Sequence, residues 1–390
     1  MKYNFDEIID RHNTGAVKIE LCKKIFGRED VIPLWVADMD FRTPPFILDA
    51  VSDRCQHPIL GYSTPCEDYF QRVLSWIEHH HQWKLDRSWI GFLPGIVPGL
   101  AFAVNAFTLP NDEIIIQPPV YPPFINVPSK NNRKVVFNAL KEVNGRFEMD
   151  FDDFERKITG RTRLFLLCNP HNPGGRTWDA ETMKRIAEIC YKNGILVVSD
   201  EIHSDMALPG NKHIPFATVS ELAEQNSITY MAPSKTFNMA GLISSSYIVP
   251  NKEIRRKFSD FLENSELANG NIFAYIGAKA AYQGGAEWLE QMLEYVQENL
   301  NYVVDFMKNN VPQIKPMIPQ ASFLVWLDCR ELGMSSNQLQ DFMVNEAGLG
   351  LNKGTTFGPG GEHHLRLNIG CPRSVLIEAM ELLKKAVDRR

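Results

Sequence analysis

The sequence lacks the features of a secreted protein and those of a nucleic-acid-binding protein. Residues 1–7 carry charged side chains where a signal peptide requires an apolar stretch. The formal net charge is −6 over 390 residues, and no tract of basic residues stands out. These absences argue against nucleic acid as a partner, and we expect a cytoplasmic protein.

Paired cysteines are also absent. The seven cysteines are an odd number, and no two of them have the spacing of a metal site or a redox pair. We therefore expect reduced thiols and no bound metal, which again favours the cytoplasm. The histidine run, His79–His81, ends a predicted helix and is expected to be solvated.

One stretch without a charged residue, Gly91–Pro110, has about the length of a membrane span. Two prolines and two glycines interrupt its first half, so that only Pro98–Leu109 can form a regular helix. That helix is too short to cross a bilayer. We predict a buried helix after a tight loop, and no membrane association.

Hydrophobic residues make up 44 % of the chain and charged residues 23 %, as in globular proteins. Short apolar runs alternate with amphipathic helices, and several runs are apolar at successive positions, as in strands buried on both faces of a sheet. The predicted strands are Ile114–Gln117, Val135–Phe137, Leu164–Cys168, Ile195–Ser199, Ile228–Met231 and Tyr247–Val249. This alternation predicts an α/β domain with a mostly parallel sheet and a ligand beyond the carboxyl ends of its strands.

The pattern changes after residue 285. A long predicted helix, Glu287–Asn309, precedes two further strands and two more helices, and the first 45 residues lack the strand–helix alternation. We therefore predict a large α/β domain over residues 46–285 and a smaller α+β domain from residues 1–45 and 286–390.

Polar segments follow three of the predicted strands. They are, in chain order, Asn169–Gly175, Asp200–His203 and Ser234–Leu242. Each segment alone is typical of a helix cap or a solvated loop. Three such strand ends in consecutive α/β units converge on one edge of the sheet, which indicates a functional site.

These three segments, with Leu365–Asn368, resemble fold-type-I pyridoxal 5′-phosphate (PLP) enzymes of the class I/II aminotransferase superfamily. A closer resemblance is to its carbon–sulfur lyase branch, the cystathionine β-lyases and cysteine desulfhydrases of the MalY/PatB type. The motifs that carry it are Trp35–Phe41, Asp200–His203, Ser234–Asn238 and Asn368–Ser374. The resemblance extends from about residue 3 to the C-terminus, and it implies the PLP-dependent transferase-like fold of aspartate aminotransferase.

The resemblance assigns the cofactor to residues at the strand ends. Lys235 would hold PLP as a Schiff base and later act as the base at the substrate Cα, because an amine condenses with an aldehyde. Ser234 would bind the phosphate, Asp200 would pair with the protonated ring nitrogen, and Asn172 would bond the ring hydroxyl. His203 would lie beside that hydroxyl; its alternatives are a packed histidine and a metal ligand.

The segment Pro94–Gly99 precedes the predicted buried helix. By itself it is either a bare turn or a phosphate site at a helix N-terminus. By resemblance, the backbone of Gly95, Ile96 and Val97 would bind the phosphate. Tyr121 would stack on the cofactor ring.

Three positions elsewhere in the chain complete the implied site. Arg366 is either an edge residue or an ion-pair partner on its own, whereas the resemblance makes it the clamp for the substrate α-carboxylate, with Ala37 nearby. Tyr62 is otherwise a packed turn residue, but by resemblance it reaches across a homodimer to the neighbour's cofactor phosphate. Ile243 stands where many superfamily members have a phosphate-binding arginine, and this departure fits the lyase branch.

The resemblance thus implies a homodimeric PLP enzyme that acts on a small amino-acid substrate. It would cleave the Cβ–S bond of cystathionine, cysteine or related S-conjugates to give a thiol, pyruvate and ammonia. An aminotransferase is the enzymatic alternative, because both reactions begin alike and use the same residues. A catalytically idle regulatory binding protein is the third reading, which the intact Lys235, Asp200 and Arg366 disfavour.

Overall fold

A computed structural model describes residues 2–390. The strands are β1 (Ile32–Pro33), β2 (Ile90–Leu93), β3 (Glu113–Ile116), β4 (Lys134–Phe137), β5 (Lys141–Val143), β6 (Arg146–Glu148), β7 (Thr162–Cys168), β8 (Leu196–Asp200), β9 (Ser227–Met231), β10 (Ser245–Ile248), β11 (Lys315–Met317), β12 (Leu324–Asp328), β13 (Leu349–Gly350), β14 (Asn352–Lys353) and β15 (His364–Asn368).

The α-helices vary in length from single turns to a helix of 25 residues. They are α1 (Val17–Glu20), α2 (Cys22–Phe26), α3 (Pro45–Cys55), α4 (Glu67–His81), α5 (Ile96–Phe107), α6 (Pro123–Lys130), α7 (Phe151–Lys157), α8 (Ala180–Lys192), α9 (Glu221–Gln225), α10 (Pro233–Thr236), α11 (Lys252–Asn264), α12 (Ile272–Gly284), α13 (Ala286–Asn310), α14 (Ser336–Asn345) and α15 (Arg373–Asp388).

The main sheet has seven strands in the order β2-β10-β9-β8-β7-β3-β4. Neighbouring strands from β9 to β4 are parallel, and β10 runs antiparallel to both β2 and β9. The predicted α/β fold with a mostly parallel sheet is confirmed. All six of these predicted strands are present, but β2 was not predicted, because its Gly91 and the Pro94–Gly95 pair directly after it are typical of a loop.

Successive residues of the central strands pack on opposite faces of the main sheet. Leu166 of β7 lies in a core with Leu100 of α5, whereas its neighbour Leu167 lies in a second core with Met183 of α8. Because helices cover both faces, both of these adjacent strand positions have to be apolar. This is the physical reason why the strands appear in the sequence as continuous apolar runs.

The uncharged stretch contains most of β2, which was not predicted, followed by the predicted tight loop and buried helix α5. The helix begins at Ile96 rather than Pro98, because proline is tolerated in the first turn, where backbone N–H groups lack acceptors. Within residues 2–390, no helix is long and apolar enough to span a membrane.

A second sheet has four antiparallel strands in the order β11-β12-β15-β14. Helices α13 and α15 share a core with it, in which Leu300 and Leu376 pack with Leu367 of β15. The N-terminal strand β1 pairs with β13. The domain boundaries at residues 45/46 and 285/286 stay a prediction.

The histidine run at the end of α4 is solvated only in part. His79 and His80 are exposed, as predicted, but the prediction is wrong for His81, which is buried. The helical period explains this, since His81 lies one turn beyond the buried Ile77 on the inner face of α4. His81 Nε2 lies 2.9 Å from Asp205 Oδ1.

Candidate active site

The three polar segments meet at one edge of the main sheet. Strands β7, β8 and β9 are neighbours, with Cys168 opposite Asp200 and Asp200 opposite Tyr230. A cavity of about 290 Å³ opens there, close to the lower limit for small-ligand sites. Of the predicted site residues, those that line it are Ala37, Gly95, Ile96, Val97, Tyr121, Asn172, Asp200, His203, Ser234 and Lys235.

Lys235 lies in the short helix α10, which follows β9 after one residue. Its Nζ donates a 2.6 Å hydrogen bond to the carbonyl oxygen of Ala37. Burial lowers the pKa of the Lys235 amine to about 8, so more of it is neutral near neutral pH than in a solvated lysine. A neutral amine can attack a carbonyl carbon and can accept a proton.

Asp200 is the last residue of β8 and is buried. Its Oδ1 accepts a 3.1 Å hydrogen bond from the backbone N–H of Ile202. Burial raises the pKa of the Asp200 carboxyl to about 7, because no cation of residues 2–390 lies within ion-pair distance to offset the loss of water. A protonated ring nitrogen in the cavity would supply that cation.

Arg366 lies in β15, between β12 and β14, and therefore not on an edge strand. Its Nη1 donates to Asn172 Oδ1 at 3.0 Å, and its Nη2 donates to the carbonyl oxygen of Trp35 at 2.8 Å and to Asn352 Oδ1 at 2.6 Å. All three acceptors are uncharged, and Nε has no partner within residues 2–390. Burial lowers the pKa of Arg366 to about 10. This buried guanidinium has no carboxylate of the described chain beside it, so it is free to bind an anion.

His203 is buried, and its Nδ1 has no hydrogen-bond partner among the described residues. Burial, helped by the positive charges of Lys235 and Arg366, lowers the pKa of His203 to about 3, so the imidazole is neutral. Over residues 2–390, no group of three or more His, Cys, Asp or Glu side chains could hold a metal ion. A neutral ring with an unpaired nitrogen can hydrogen-bond a group bound in the cavity.

The cavity reaches the N-terminus of α5. Gly95 precedes the helix with a φ of 119°, a conformation that other residues rarely adopt. The backbone N–H groups of Ile96 and Val97 come first in the helix and have no acceptor within it. Ser234 adds a hydroxyl to the same cavity, and Ile243 lines it where the superfamily's arginine would stand. This end is suited to an anionic group.

Several residues that contact the predicted site were not anticipated, among them Cys168 and Asn352. Cys168, the last residue of β7, lines the cavity, and its Sγ accepts a 3.4 Å hydrogen bond from the backbone N–H of Asn172. Its place directly before a polar strand end was a usable signal. Asn352 bonds Arg366 from β14, and nothing in its local sequence indicates this contact.

Tyr62 does not line the cavity of its own chain. It lies between α3 and α4 and is fully exposed, and the nearby Ile59 and Leu60 are exposed by 66 % and 62 %. The predicted role of Tyr62 across a dimer stays a prediction.

The family model described as aminotransferase class I and II matches residues 29–383. This chain belongs to that family. It is 43 % identical over 385 residues to cystathionine β-lyase PatB of Bacillus subtilis, and the alignment covers 98 % of this chain and 100 % of PatB. The predicted family is confirmed.

Solved structures of the family are closely similar to this one. A PLP-bound protein of Clostridium difficile 630, provisionally named an aminotransferase, superposes with a TM-score of 0.97 at 39 % identity, over 99 % of this chain and 100 % of that one. Cystalysin of Treponema denticola, which contains PLP, gives a TM-score of 0.96 at 34 % identity over 100 % of both chains. The predicted PLP-dependent transferase-like fold is confirmed.

Proposed function

We propose that this family member is a PLP-dependent carbon–sulfur β-lyase. It cleaves the Cβ–S bond of cystathionine, cysteine or a related S-conjugate, takes up water and releases a thiol, pyruvate and ammonia. The observation that carries the proposal is that Asp200 and Lys235 line one cavity and that Arg366 is bonded to Asn172 in the wall of this cavity. None of the three has an ion-pair partner in residues 2–390. The identity to PatB supports the choice of reaction.

The side chains at the cavity fit PLP in three respects. The Lys235 amine can bind the aldehyde covalently, and the unpaired Asp200 carboxylate can pair with the ring nitrogen. The free N–H groups at the start of α5 can bind the phosphate together with Ser234. Further contacts with the ring and its hydroxyl are assigned to Tyr121, Asn172 and His203.

Arg366 binds the α-carboxylate of the substrate, because a planar guanidinium can donate two parallel hydrogen bonds and so orient Cα. Lys235 then removes the Cα proton, and the Ala37 carbonyl, which accepts from its amine, keeps that amine in place. PLP, when bound, supplies an electron sink for the charge left at Cα. The Cβ–S bond breaks with its electron pair on sulfur, which leaves as a thiolate.

An aminotransferase is the second candidate, because a closely similar structure is provisionally named one. The two reactions are separated by assaying purified protein with L-cystathionine, with L-cysteine, and with an amino acid plus 2-oxoglutarate. The lyase predicts pyruvate and a thiol, or sulfide from cysteine, without any oxo acid. A strict requirement for 2-oxoglutarate, with glutamate formed, would reject the lyase.

We also propose that two copies of the chain share their sites. Tyr62, Ile59 and Leu60 expose apolar side chains next to each other, which is the kind of surface that a partner subunit covers. Tyr62 of one subunit would then contact the cofactor phosphate held by the other.

A further inference from the structure

The side chain of Asp205 joins three separate elements of the fold. It lies in the short turn Ser204–Met206, just after His203, and is only 5 % exposed. Its Oδ1 accepts hydrogen bonds from Trp76 Nε1 at 3.0 Å and His81 Nε2 at 2.9 Å, both on α4. Its Oδ2 accepts a 3.0 Å hydrogen bond from Thr236 Oγ1 on α10.

Thr236 directly follows Lys235. The helix that carries both has four residues, too few to be stable by itself, so its orientation depends on contacts with the rest of the protein. The Thr236 side chain is fully buried, and its hydroxyl bonds the Asp205 carboxylate. That bond connects the lysine-bearing turn to the end of α4.

We propose that Asp205 is a positioning residue for Lys235. Its carboxylate, held by Trp76 and His81, fixes the hydroxyl of Thr236 and thereby aims the neighbouring Lys235 amine at the cavity. The inference rests on the proposed role of Lys235 and extends the site to a side chain that touches neither cofactor nor substrate.

The surroundings of Asp205 suit an ionised carboxylate. Burial alone would raise the pKa of Asp205, but hydrogen bonds from His81 and Trp76 outweigh it and hold the pKa below its usual value. An ionised carboxylate only accepts hydrogen bonds, which matches its three donors. Four titratable groups face Asp205 from the neighbouring elements. They are His80 and His81 of α4, Tyr282 of α12, and His213, which lies in a loop.

A second buried pair, His213 and Glu201, packs against the pair formed by His81 and Asp205. His213 Nε2 is 2.7 Å from Glu201 Oε2, and the rings of His213 and His81 meet edge to face with centroids 5.5 Å apart. Glu201 also accepts from the backbone N–H of Phe216 at 2.8 Å. This packing keeps the His81 ring from turning away from Asp205, so the carboxylate that holds Thr236 is itself rigidly held.

The test uses Thr236→Val, which removes the hydroxyl and leaves Asp205, His81 and Trp76 in place. We expect kcat to fall by about tenfold with little change in KM, since a small displacement of a reacting group costs rate more than binding. The pH midpoint of the visible absorbance of the resting PLP-bound enzyme should shift by about half a unit or more, because the amine moves relative to its charged neighbours. Asp205→Asn should produce the same changes.

Two further variants separate positioning from a general effect on packing. Thr236→Ser keeps the hydroxyl and should restore the wild-type midpoint and kcat. Thr229→Val makes the same substitution in β9, where the buried hydroxyl has no partner within residues 2–390, and should change neither quantity.

A Thr236→Val enzyme with the wild-type midpoint and kcat would overturn the inference, even if it unfolds at a lower temperature. The same holds if Thr236→Ser is as impaired as Thr236→Val. A protein that shows no visible band after PLP is added would overturn the proposed function, and the inference with it. If Asp205→Asn fails to fold, the Thr236 variants still decide the question.

Discussion

At the scale of single residues, burial in the folded chain disfavours the charged forms of the side chains at the site. Asp200 is the clearest case, because its pKa of about 7 lies well above the value in an unfolded chain, about 3.9. Between these values the folded chain retains a proton that the unfolded chain has lost. This contribution to stability is full below about pH 4 and is lost as the pH rises through about 7.

Asp200→Asn should therefore stabilise the cofactor-free protein more at about pH 8 than at about pH 5, because the amide never has to ionise in a buried place. The same variant should bind PLP more weakly, since the partner of the ring nitrogen is lost. Thermal unfolding at the two pH values and a PLP titration measure both effects. Asp49→Asn, an exposed carboxylate on α3, is the control. An unfolding-temperature difference that does not vary with pH would contradict this account of Asp200.

Arg366 allows a second prediction at this scale. Arg366→Lys should retain PLP but raise KM steeply, because an ammonium keeps the charge and loses the paired geometry. Loss of one charge-assisted hydrogen bond corresponds to about 1.5–3 kcal/mol. Steady-state kinetics with L-cystathionine measure KM, and the visible spectrum of the same sample shows whether PLP is retained. Unchanged kinetics would show that Arg366 only supports the fold through Asn172, Trp35 and Asn352.

At the scale of elements, the segment Trp35–Phe41 connects Lys235 and Arg366, since both side chains donate to its backbone carbonyls. Four charged side chains that do not line the cavity hold this segment. Lys18, with no exposed surface, lies 3.2 Å from Asp38 and 2.9 Å from Asp40, and Arg11 lies 2.6 Å from Asp38 and 2.7 Å from Asp40.

Lys18→Met should lower the free energy of unfolding by about 3–5 kcal/mol, because it removes one partner of a buried ion-pair cluster and leaves two carboxylates with one cation. It should also lower kcat, since the Ala37 carbonyl that holds the Lys235 amine becomes less well fixed. Urea denaturation and steady-state kinetics measure the two effects. Lys24→Met, at an exposed position of α2, is the matched control. Equal stability of the two variants would show that the cluster contributes little.

At the scale of the whole molecule, Tyr62 is exposed in the single chain. Its predicted contact, with the cofactor phosphate of a second subunit, requires a dimer. If each site combines Lys235 of one subunit with Tyr62 of the other, co-expression of Tyr62→Ala with Lys235→Ala should restore activity. Random pairing makes half the dimers mixed, and each mixed dimer has one intact site, so about a quarter of wild-type activity should return.

Two controls are needed for this experiment. Tyr62→Ala alone must be strongly impaired, and mixed dimers must be demonstrated with two different affinity tags. Mixed dimers that form and remain inactive would assign Tyr62 to its own chain and reject the shared site.

Much of the fold could be predicted from the sequence because its strands are buried on both faces. Each appears as a continuous apolar run, and the three polar strand ends converge once the sheet is parallel. The strand β10 shows the limit of this reasoning. It has the same apolar pattern as the parallel strands, but it runs antiparallel to both of its neighbours. Strand direction depends on which strand lies beside it, and local sequence does not record that.

The sequence by itself determined the α/β architecture, the family, and which side chains follow the strands of the site. Only the tertiary structure decided their surroundings. Arg366 has no carboxylate beside it within the part of the chain that the structure describes, and His81 is buried against Asp205 instead of being solvated. In both cases the reason is the same: burial and hydrogen-bond partners come from residues more than a dozen positions away, which packing brings together and local patterns cannot reveal.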